Sequence, residues 1–440
     1  MPKKKNLPPY QRLCSPNFLH DAWQKIYENG LKSDSSKTRE SVRLFKEKER
    51  QNIDKIYRAI KTRKTNTIFD GAHGITAGEK KRPIVLASVE GRVVQRAILD
   101  VLQDIPATFK YLNAPGSYGA LKSENDNKKG VKPAIEAAIR AIENGADHFY
   151  QSDIKSFFTQ IPRKEVIAEI SSYVEDSDFI SILEAATNLE IKNINRIPIK
   201  HRKFFDYSTI GTPQGCCLSP LLGNILLYEF DVAMNQNGIT CIRYLDDFMV
   251  LGKGWRAVQE AFNKGASILG KLNLDVYMLS EKKTKAVSGM VTKGFDFLGV
   301  EIKGKNIKPN RDSRNRLLTA IREMTNETFK QKFDGSPNKK QHNYSLIETL
   351  GGINNKVKGW GNQYSFCNEE AIWGSVDAEI NNIVRGYLGR YSEVRKKLDE
   401  KSMRRLLGIH LVAESKKDPI KFRTEDKLDS LTTMLNIAPS

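Results

Sequence analysis

Two adjacent aspartates, Asp246 and Asp247, lie within the apolar and aromatic stretch IRYLDDFMVL of residues 242–251. The flanking residues indicate two buried strands joined by a tight turn at the aspartates. Neighbouring carboxylates repel each other, and burying them is costly unless a cation neutralises them. An Asp-Asp pair also occurs by chance in many proteins, so the pair alone indicates only that a positively charged partner is needed.

Asp153 is a third carboxylate that could join this pair. It ends the apolar strand HFYQSD of residues 148–153 and is followed by IKSFF. If this strand and the hairpin are neighbours in one sheet, Asp153 and Asp246 can share a divalent ion, with Asp247 close by. Hard oxygen ligands of this kind suit Mg²⁺. Two such ions, about 3.5–4 Å apart, would serve phosphoryl transfer by activating a 3′-hydroxyl and holding the leaving pyrophosphate.

A sharp turn before a helix is the next candidate feature, in STIGTPQGCCLSPLLGNILLYEFD at residues 208–231. Gly211, Pro213 and Gly215 constrain the backbone there, and Gln214 is a polar side chain exposed on the turn. The start of the following helix could meet a phosphate group. Taken in isolation, the same stretch is an ordinary turn between a strand and a helix.

The charge of the chain favours a polyanionic partner. The 440 residues include 71 Lys and Arg against 52 Asp and Glu, which gives a net charge of +19. A basic excess of this size is typical of proteins that bind nucleic acid, although a merely soluble basic protein is the alternative. A membrane surface is not expected as a partner, because no long basic amphipathic helix stands out.

The cysteines and the apolar segments indicate a cytoplasmic protein. The five cysteines are odd in number and include no C-x-x-C pair. This pattern predicts a reducing compartment, with neither a disulfide framework nor a structural zinc site. No apolar stretch is long enough for a transmembrane helix, and the basic N-terminus MPKKKNLPPYQR lacks the apolar segment of a secretory signal.

The elements that must position these residues form a mixed series. Helical spacing dominates residues 1–70, and a basic helical region follows from about residue 305 to near 410. Between them the pattern predicts a strand and an amphipathic helix over 80–112, helices over 132–145 and 219–235, and strands starting at 147, within 240–252 and within 294–302. The expected fold class is α+β with an antiparallel sheet.

The motifs YLDD, SDIKSFF, GTPQGCCLSPLLGNILL and FDFLG, in this order and spacing, resemble prokaryotic reverse transcriptases. That group includes group II intron proteins, retrons and defence-associated enzymes. The resemblance covers about residues 80–302, and it departs from many relatives at Leu245, where they carry Ala. It implies a right-hand polymerase with fingers, palm and thumb. The implied domains are a charged helical extension at 1–75, fingers and palm at 76–302, and a helical basic thumb and C-terminal region at 303–440.

The resemblance implies that Asp153, Asp246 and Asp247 are the catalytic carboxylates. Together with Ile154 they make up the implied metal-binding set, which would hold two Mg²⁺ ions per active site.

The resemblance also implies a nucleotide pocket. Phe158 falls at the steric gate, where a ring would clash with a ribose 2′-hydroxyl; the alternative is a core aromatic. Gln214 would line the pocket for the incoming nucleotide. Arg82, together with Lys80 or Lys81, would contact the triphosphate, and adjacent strand positions face opposite ways, so the choice between the lysines stays open; Lys81 is the residue we assign.

Three further sets of residues follow from the resemblance. Lys283, in SEKKTK, is a candidate proton donor to pyrophosphate, and a solvated surface lysine is the alternative. The primer grip would be formed by Phe297, Leu298 and Gly299. In the thumb, Trp360 and Tyr364 share a helix face and would contact the template–primer or, alternatively, pack in the core. The basic helical stretch 385–407 could follow RNA phosphates.

The predicted activity is RNA-directed DNA synthesis from deoxynucleoside triphosphates. The leading hypothesis is an enzyme that copies an associated structured noncoding RNA into complementary DNA in bacterial antiphage defence. The alternatives are a group II intron-encoded reverse transcriptase that assists splicing and mobility, a retron enzyme, and a diversity-generating element. The template, the primer and the oligomeric state are left open by the sequence.

Overall fold

A computed structural model describes most of the chain. The described residues are 7–33, 35–69, 72–77, 82–119, 129–189, 191–202, 205, 210–213, 215–281, 285–329 and 345–412. They fall into two compact units. The first unit comprises Met1–Leu298 and Ile302–Lys305, and the second comprises Gly299–Glu301 and Asn306–Ser440. The predicted domain boundaries after residues 75 and 302 stay predictions.

Helices and strands alternate irregularly in the first unit. In chain order its elements are α1 (Pro9–Leu13), α2 (Pro16–Leu31), α3 (Ser36–Glu47), α4 (Glu49–Lys61), α5 (Asn66–Phe69), β1 (His73–Ala77), β2 (Arg82–Leu86), α6 (Val89–Gln103), α7 (Phe109–Leu112), α8 (Val131–Glu143), β3 (His148–Asp153), α9 (Phe157–Gln160), α10 (Arg163–Ser171), α11 (Ser177–Thr187), α12 (Ile199–Arg202), α13 (Ser219–Leu226), α14 (Tyr228–Met234), β4 (Thr240–Tyr244), β5 (Asp247–Gly252), α15 (Trp255–Lys271), β6 (Ala286–Met290) and β7 (Phe295–Phe297).

Strand β8 (Val300–Lys303) has residues in both units. The elements of the second unit that follow it are β9 (Asn306–Pro309), α16 (Arg311–Glu327), α17 (Leu346–Tyr364), α18 (Glu370–Arg395) and α19 (Glu400–Leu407). Strands β7, β8 and β9 form a three-stranded sheet in that order. Ser345 begins α17 with a reciprocal capping box, in which its side chain accepts from the Glu348 amide and the Glu348 carboxylate accepts from the Ser345 amide.

The four-stranded sheet of the first unit has the order β4-β5-β3-β6, and each neighbouring pair is antiparallel. Residues Phe248–Leu251 of β5 are all fully buried, so helices must cover both faces of the sheet. The rings of Tyr150 on β3 and Phe262 on α15 stack with centroids 3.6 Å apart. The predicted α+β class with an antiparallel sheet is confirmed.

The N-terminal helices pack on the same hydrophobic core as the sheet. Trp23 on α2 is fully buried, and its ring lies 4.3 Å from that of Phe45 on α3. Ser15 and Ser35 cap the starts of these two helices through their side-chain oxygens. The predicted charged helical segment therefore contributes apolar faces to the body of the first unit.

The second unit has a small helical core of its own. Buried apolar residues from α16, α17 and α18 form it, namely Leu317, Leu318, Ile321, Ile353, Val376 and Ile380. Across the described residues of both units, none of the helices combines the length and the apolar character that crossing a membrane requires.

Candidate active site

The strand register brings two of the three predicted carboxylates together. In the antiparallel pairing of β3 with β5, Asp153 lies directly opposite Asp247. On the other side of β5, Asp247 also pairs with Tyr244, the last residue of β4. The loop between β4 and β5 therefore contains only two residues, and Asp246 is the second of them. The neighbouring strands that the metal hypothesis required are present.

The two-residue turn has a strained backbone. Leu245 has φ +61°, in the left-handed region that costs a residue with a side chain about 1–2 kcal/mol. The next carbonyl along, that of Asp246, accepts a hydrogen bond of 2.8 Å from the Ile154 amide. A Cβ atom placed on Gly119 would come within 2.5 Å of the Leu245 nitrogen, so another segment lies directly against the turn. Such strain persists only where the surrounding structure fixes the backbone.

The electrostatics of the site favour a cation. Burial, together with repulsion from Asp246, raises the pKa of Asp247 to about 7. A hydrogen bond from Gln151 Nε2 to Asp247 Oδ1, at 3.4 Å, opposes this shift. The raised pKa means that the negative charge at this position is incompletely compensated.

Lys285 supplies a positive charge that the sequence analysis did not assign. Its ammonium group contacts Asp153 Oδ2. The cause lies in the sheet, because Ala286 of β6 pairs with Ser152 of β3, which brings the preceding lysine beside Asp153. The motif SEKKTK did signal a lysine here, but the assignment went to Lys283, two positions earlier.

A second ion pair lies close to the first in sequence. Lys155 Nζ is 2.8 Å from Glu281 Oε2. The ring of Tyr277 lies near both lysines, 5.2 Å from Lys155 Nζ and 5.7 Å from Lys285 Nζ. The Tyr277 amide donates to the Asp153 carbonyl over 3.3 Å, which ties this segment to the end of β3.

The donor set fits magnesium in its chemistry. Asp153, Asp246 and Asp247 offer hard carboxylate oxygens, the ligands that Mg²⁺ prefers. The Ile154 side chain is a hydrocarbon without a donor atom, so this residue could offer only its backbone carbonyl. Among the described residues, no three acidic, His or Cys side chains converge on one point as the chain stands. Instead the Lys285 ammonium pairs with Asp153, which marks a position where positive charge is stabilised.

The predicted gate residue is held by the turn that contains Gly211, Thr212 and Gly215, here called the glycine turn. Phe158, on α9, is half-buried, whereas its neighbour Phe157 is buried in the core. The Phe158 carbonyl accepts a 2.7 Å hydrogen bond from the Thr212 amide, and the Gly211 amide donates to Ile161 over 2.8 Å. The sequence motifs SDIKSFF and GTPQG are thus joined through their backbones.

Arg163 is a buried residue of this region that the sequence analysis missed. Its Nη1 donates to the Gly211 carbonyl at 3.1 Å and to the Thr187 carbonyl at 3.3 Å. On the other side of the turn, a Cβ atom on Gly215 would lie 2.9 Å from the Val85 carbonyl of β2. The glycine turn therefore passes between α9, which carries Phe158, and β2, which starts with Arg82.

Several predicted nucleotide-pocket residues have no described side chain. Lys81, Gln214 and Lys283 lie outside the described residues. Arg82 is the first residue of β2 and pairs with Ala77 of β1, and its side chain is likewise outside the description. Their assignments stay predictions.

The predicted primer grip begins with the last residue of β7. Phe297 is buried in the first unit, and Leu298 has φ +50°. In the second unit, Gly299 has φ +82°, and its carbonyl accepts from the Asn310 amide at 2.9 Å and from Ser313 Oγ at 3.0 Å. A Cβ atom on Gly299 would lie 2.7 Å from the Tyr364 hydroxyl oxygen, so this position requires glycine.

The two predicted thumb residues take part in packing within the second unit. Tyr364 is buried, and its hydroxyl group donates to Ser313 Oγ at 3.0 Å. Trp360 is half-buried; its ring centroid is 5.1 Å from that of Tyr364 and 5.7 Å from that of Trp373 on α18. The two residues share a helix face as predicted, and that face points toward a neighbouring helix. Contact with nucleic acid stays a prediction for both.

Comparison with known proteins identifies the family. Residues 73–302 match the reverse transcriptase (RNA-dependent DNA polymerase) family. This region is more than half of the chain and contains β3, the β4–β5 hairpin and the glycine turn. The chain belongs to this family, and its fold class is the α+β right-hand polymerase predicted from the sequence.

The curated relatives resemble only part of this chain. An uncharacterized 91 kDa protein in the cob intron of Schizosaccharomyces pombe is 29% identical over 41% of this chain and 20% of its own length. Protein YkfC of Escherichia coli is 25% identical over 50% of this chain and 62% of its own length. The group II intron-encoded protein LtrA of Lactococcus lactis is 26% identical over 50% of this chain and 34% of its own length. The matches thus span less than two thirds of each relative.

Solved structures are similar at low identity. A chain of a partial Cas6-RT-Cas1–Cas2 complex is 20% identical, with a TM-score of 0.34, over 60% of this chain and 43% of that one. Telomerase from Candida albicans is 13% identical, with a TM-score of 0.34, over 68% of this chain and 55% of that one.

Proposed function

We propose that this protein is an RNA-directed DNA polymerase that uses two Mg²⁺ ions. The observation that carries the proposal is the register of the four-stranded sheet. It sets Asp153 opposite Asp247, and it places Asp246 in the turn that adjoins Asp247. Membership of the reverse transcriptase family supports the same activity. A protein that only bound RNA would have no need for three carboxylates at one end of a buried hairpin.

In this proposal Asp153, Asp246, Asp247 and the Ile154 carbonyl hold the metal ions. When bound, such ions activate the primer 3′-hydroxyl group and stabilise the leaving pyrophosphate. The chain itself fixes the backbone positions of the three aspartates, because the strand register and the left-handed Leu245 set where each residue lies.

The other predicted residues would bind and select the substrates. Phe158 would exclude the ribose 2′-hydroxyl, and Gln214 would line the nucleotide pocket. Lys81 and Arg82 would contact the triphosphate, and Lys283 would give a proton to pyrophosphate. The primer end would rest on a short segment, namely Phe297, Leu298 and Gly299.

Magnesium dependence tests the proposal directly. With an RNA template, a DNA primer and deoxynucleoside triphosphates, we expect primer extension in Mg²⁺ and none in excess EDTA, because the carboxylates alone supply no positive charge to the reacting phosphate. Primer extension is measured on denaturing gels, and Mg²⁺ restored to the chelated sample should recover it. Synthesis that continues in excess EDTA would rule out the two-metal assignment.

We further propose that the template is a structured noncoding RNA associated with the protein, and that the complementary DNA serves antiphage defence. The net charge of +19 supports a nucleic acid partner. The strongly charged segment 1–75 and the motif resemblance support the defence-associated group. The proposed partners are therefore the RNA, its DNA copy and deoxynucleoside triphosphates.

A second candidate is an intron-encoded reverse transcriptase that assists RNA splicing and mobility. The observation that favours it is the similarity to LtrA, a group II intron-encoded protein, and to the cob intron protein. A retron enzyme is a third form of the same chemistry.

Sequencing of the bound nucleic acids separates these candidates. The protein is purified from its own host beside an Asp246→Ala/Asp247→Ala variant, and all RNA and DNA that copurify are sequenced. We expect one dominant structured RNA, with complementary DNA found only with the active protein. Intron RNA with flanking exons would move the protein to the splicing class instead.

A further inference from the structure

A buried ion pair lies next to the catalytic turn. Arg243 on β4 and Asp231 on α14 each have a side chain that is 1% exposed. Arg243 Nε donates to Asp231 Oδ1 at 2.6 Å, and Nη2 donates to Oδ2 at 2.5 Å. A buried pair of this kind often adds little stability compared with apolar residues of similar volume. Stability of the fold is therefore a weak explanation for its presence.

The guanidinium group also reaches the turn itself. Its Nη1 donates to the Leu245 carbonyl at 3.0 Å, while Nη2 also donates to Ser117 Oγ at 2.9 Å and to Asn224 Oδ1 at 3.1 Å. The Leu245 carbonyl belongs to the peptide group that leads into Asp246.

Both peptide groups that flank Asp246 are therefore fixed from outside the turn. The preceding carbonyl accepts from Arg243, and the Asp246 carbonyl accepts from the Ile154 amide at 2.8 Å. Because Leu245 has φ +61°, the turn would relax toward an unstrained backbone if one of these bonds were lost. Such a relaxation would change the direction in which the Asp246 side chain leaves the backbone.

The segment 116–119 contacts the turn and the end of β4 through its backbone. The Arg243 amide donates to the Gly116 carbonyl at 2.7 Å, and the Tyr118 amide donates to the Arg243 carbonyl at 2.8 Å. At Gly119 a Cβ atom would lie 2.5 Å from the Leu245 nitrogen. The backbone of this segment thus contacts the turn, and Arg243 is the side chain that joins the turn to the helices α13 and α14.

We propose that Arg243 is a positioning residue that sets the orientation of the Asp246 carboxylate through its hydrogen bond to the Leu245 carbonyl. Asp231 holds the guanidinium group in place and balances its charge. The catalytic consequence rests on the proposed polymerase function, whereas the effect on the turn does not.

Arg243→Lys tests this role against a matched control. Lysine keeps the charge but lacks the planar group that binds Asp231 and Leu245 together. The control is Arg12→Lys, at a buried arginine on α1 whose Nη2 is 2.5 Å from Asp104 Oδ2 and whose guanidinium group lies 5.1 Å from the centre of the Phe18 ring; both of these partners lie outside the hairpin. The first measurement is amide hydrogen exchange of Ile154 in metal-free protein, because this amide reports whether the Asp246 carbonyl stays in place. We expect exchange about tenfold faster in Arg243→Lys and unchanged in Arg12→Lys.

A second variant covers the case in which lysine prevents folding. Arg243→Met combined with Asp231→Leu replaces the pair by apolar side chains, a change that buried pairs often tolerate. It removes the bond to Leu245 as well, so the same loss of Ile154 protection is expected.

Steady-state kinetics then test the catalytic consequence. In both Arg243 variants we expect kcat per folded molecule to fall at least about tenfold, with KM for the nucleotide little changed, because the defect lies in the reacting geometry. Unchanged Ile154 exchange, or equal changes in Arg12→Lys, would overturn the positioning role. A wild-type protein without polymerase activity would refute the proposed function, and Ile154 exchange would still decide the role of Arg243.

Discussion

Replacing Asp246 and Asp247 together with Asn is expected to reduce primer extension about 10³-fold or more. Metal ions held by these carboxylates would supply several kcal/mol of charge stabilisation in the transition state, and each 1.4 kcal/mol lost is about tenfold in rate. Amides keep the shape of the side chains but not their charge, so the strand register that sets Asp153 opposite position 247 should persist. Single-nucleotide incorporation under saturating Mg²⁺ measures the effect.

RNA binding by the same variant should be retained or slightly strengthened. The substitution removes two negative charges near a polyanion, and it also removes the repulsion between the adjacent carboxylates. Binding is compared at one fixed salt concentration, because affinity for nucleic acid depends steeply on salt.

The matched control is Glu260→Gln, which neutralises a carboxylate on the exposed face of α15. Glu260 is 66% exposed and, within the described part of the chain, forms a surface ion pair with Arg256, so we expect its variant to extend primers at the wild-type rate. DNA synthesis by the double Asn variant within tenfold of wild type would contradict the assignment of these carboxylates.

The β4–β5 hairpin could be predicted from the sequence because its signals are local. Short apolar runs on either side of Asp246 and Asp247 define two buried strands and a tight turn. The helix predicted over residues 132–145 also follows from local signals. The structure has α8 at Val131–Glu143, with Gly145 at φ +98° just beyond its end. In both cases the residues that fix the element are neighbours in sequence.

The helix predicted over 219–235 was only partly right. The structure divides it into α13 and α14 at Leu227, whose ψ of 7° departs from helical geometry. No Gly or Pro marks this position, so sequence punctuation could not reveal the break. The break is consistent with tertiary packing, since it redirects the chain just before the buried Asp231.

Lys285 and Arg243 were missed because their roles depend on long-range pairing. Lys285 reaches Asp153 only because β6 adds to the free side of β3. Arg243, within a predicted buried strand, is charged where an apolar residue is expected, and this conflict was the available signal for a special role. Its partner Asp231 lies on a different element, which the sequence pattern does not place beside it.

For the predicted thumb residues, the sequence indicates the helix face but not the partner of that face. Helical spacing correctly placed Trp360 and Tyr364 on one face, but spacing cannot say what that face meets. The ring of Trp373, from the next helix, lies against Trp360. Which face of a helix is covered depends on the neighbouring helices, and the spacing of residues within one helix does not reveal them.

Replacing Phe158 with Ala is expected to lower the preference for deoxynucleotides over ribonucleotides about 10- to 100-fold. A ring that blocks the 2′-hydroxyl discriminates by steric exclusion, and an apolar pocket that distinguishes one hydroxyl group reaches about this range. The Phe158 carbonyl is held by the Thr212 amide at 2.7 Å, so the ring cannot retreat by a shift of its backbone. The measurement is the ratio of kcat/KM for a deoxynucleotide to that for the matching ribonucleotide.

The neighbouring residue provides the control for this experiment. Phe157 is buried, and a Cβ atom on Gly223 would lie only 2.8 Å from its ring, so this phenylalanine fills the core. Phe157→Leu should therefore lower the free energy of unfolding by about 1 kcal/mol or more without changing the nucleotide preference. If Phe158→Ala leaves the ratio unchanged, the gate assignment is wrong. If both variants change the ratio of deoxynucleotide to ribonucleotide kcat/KM equally, the effect arises from core packing. A steric gate would act only through the residue that faces the sugar.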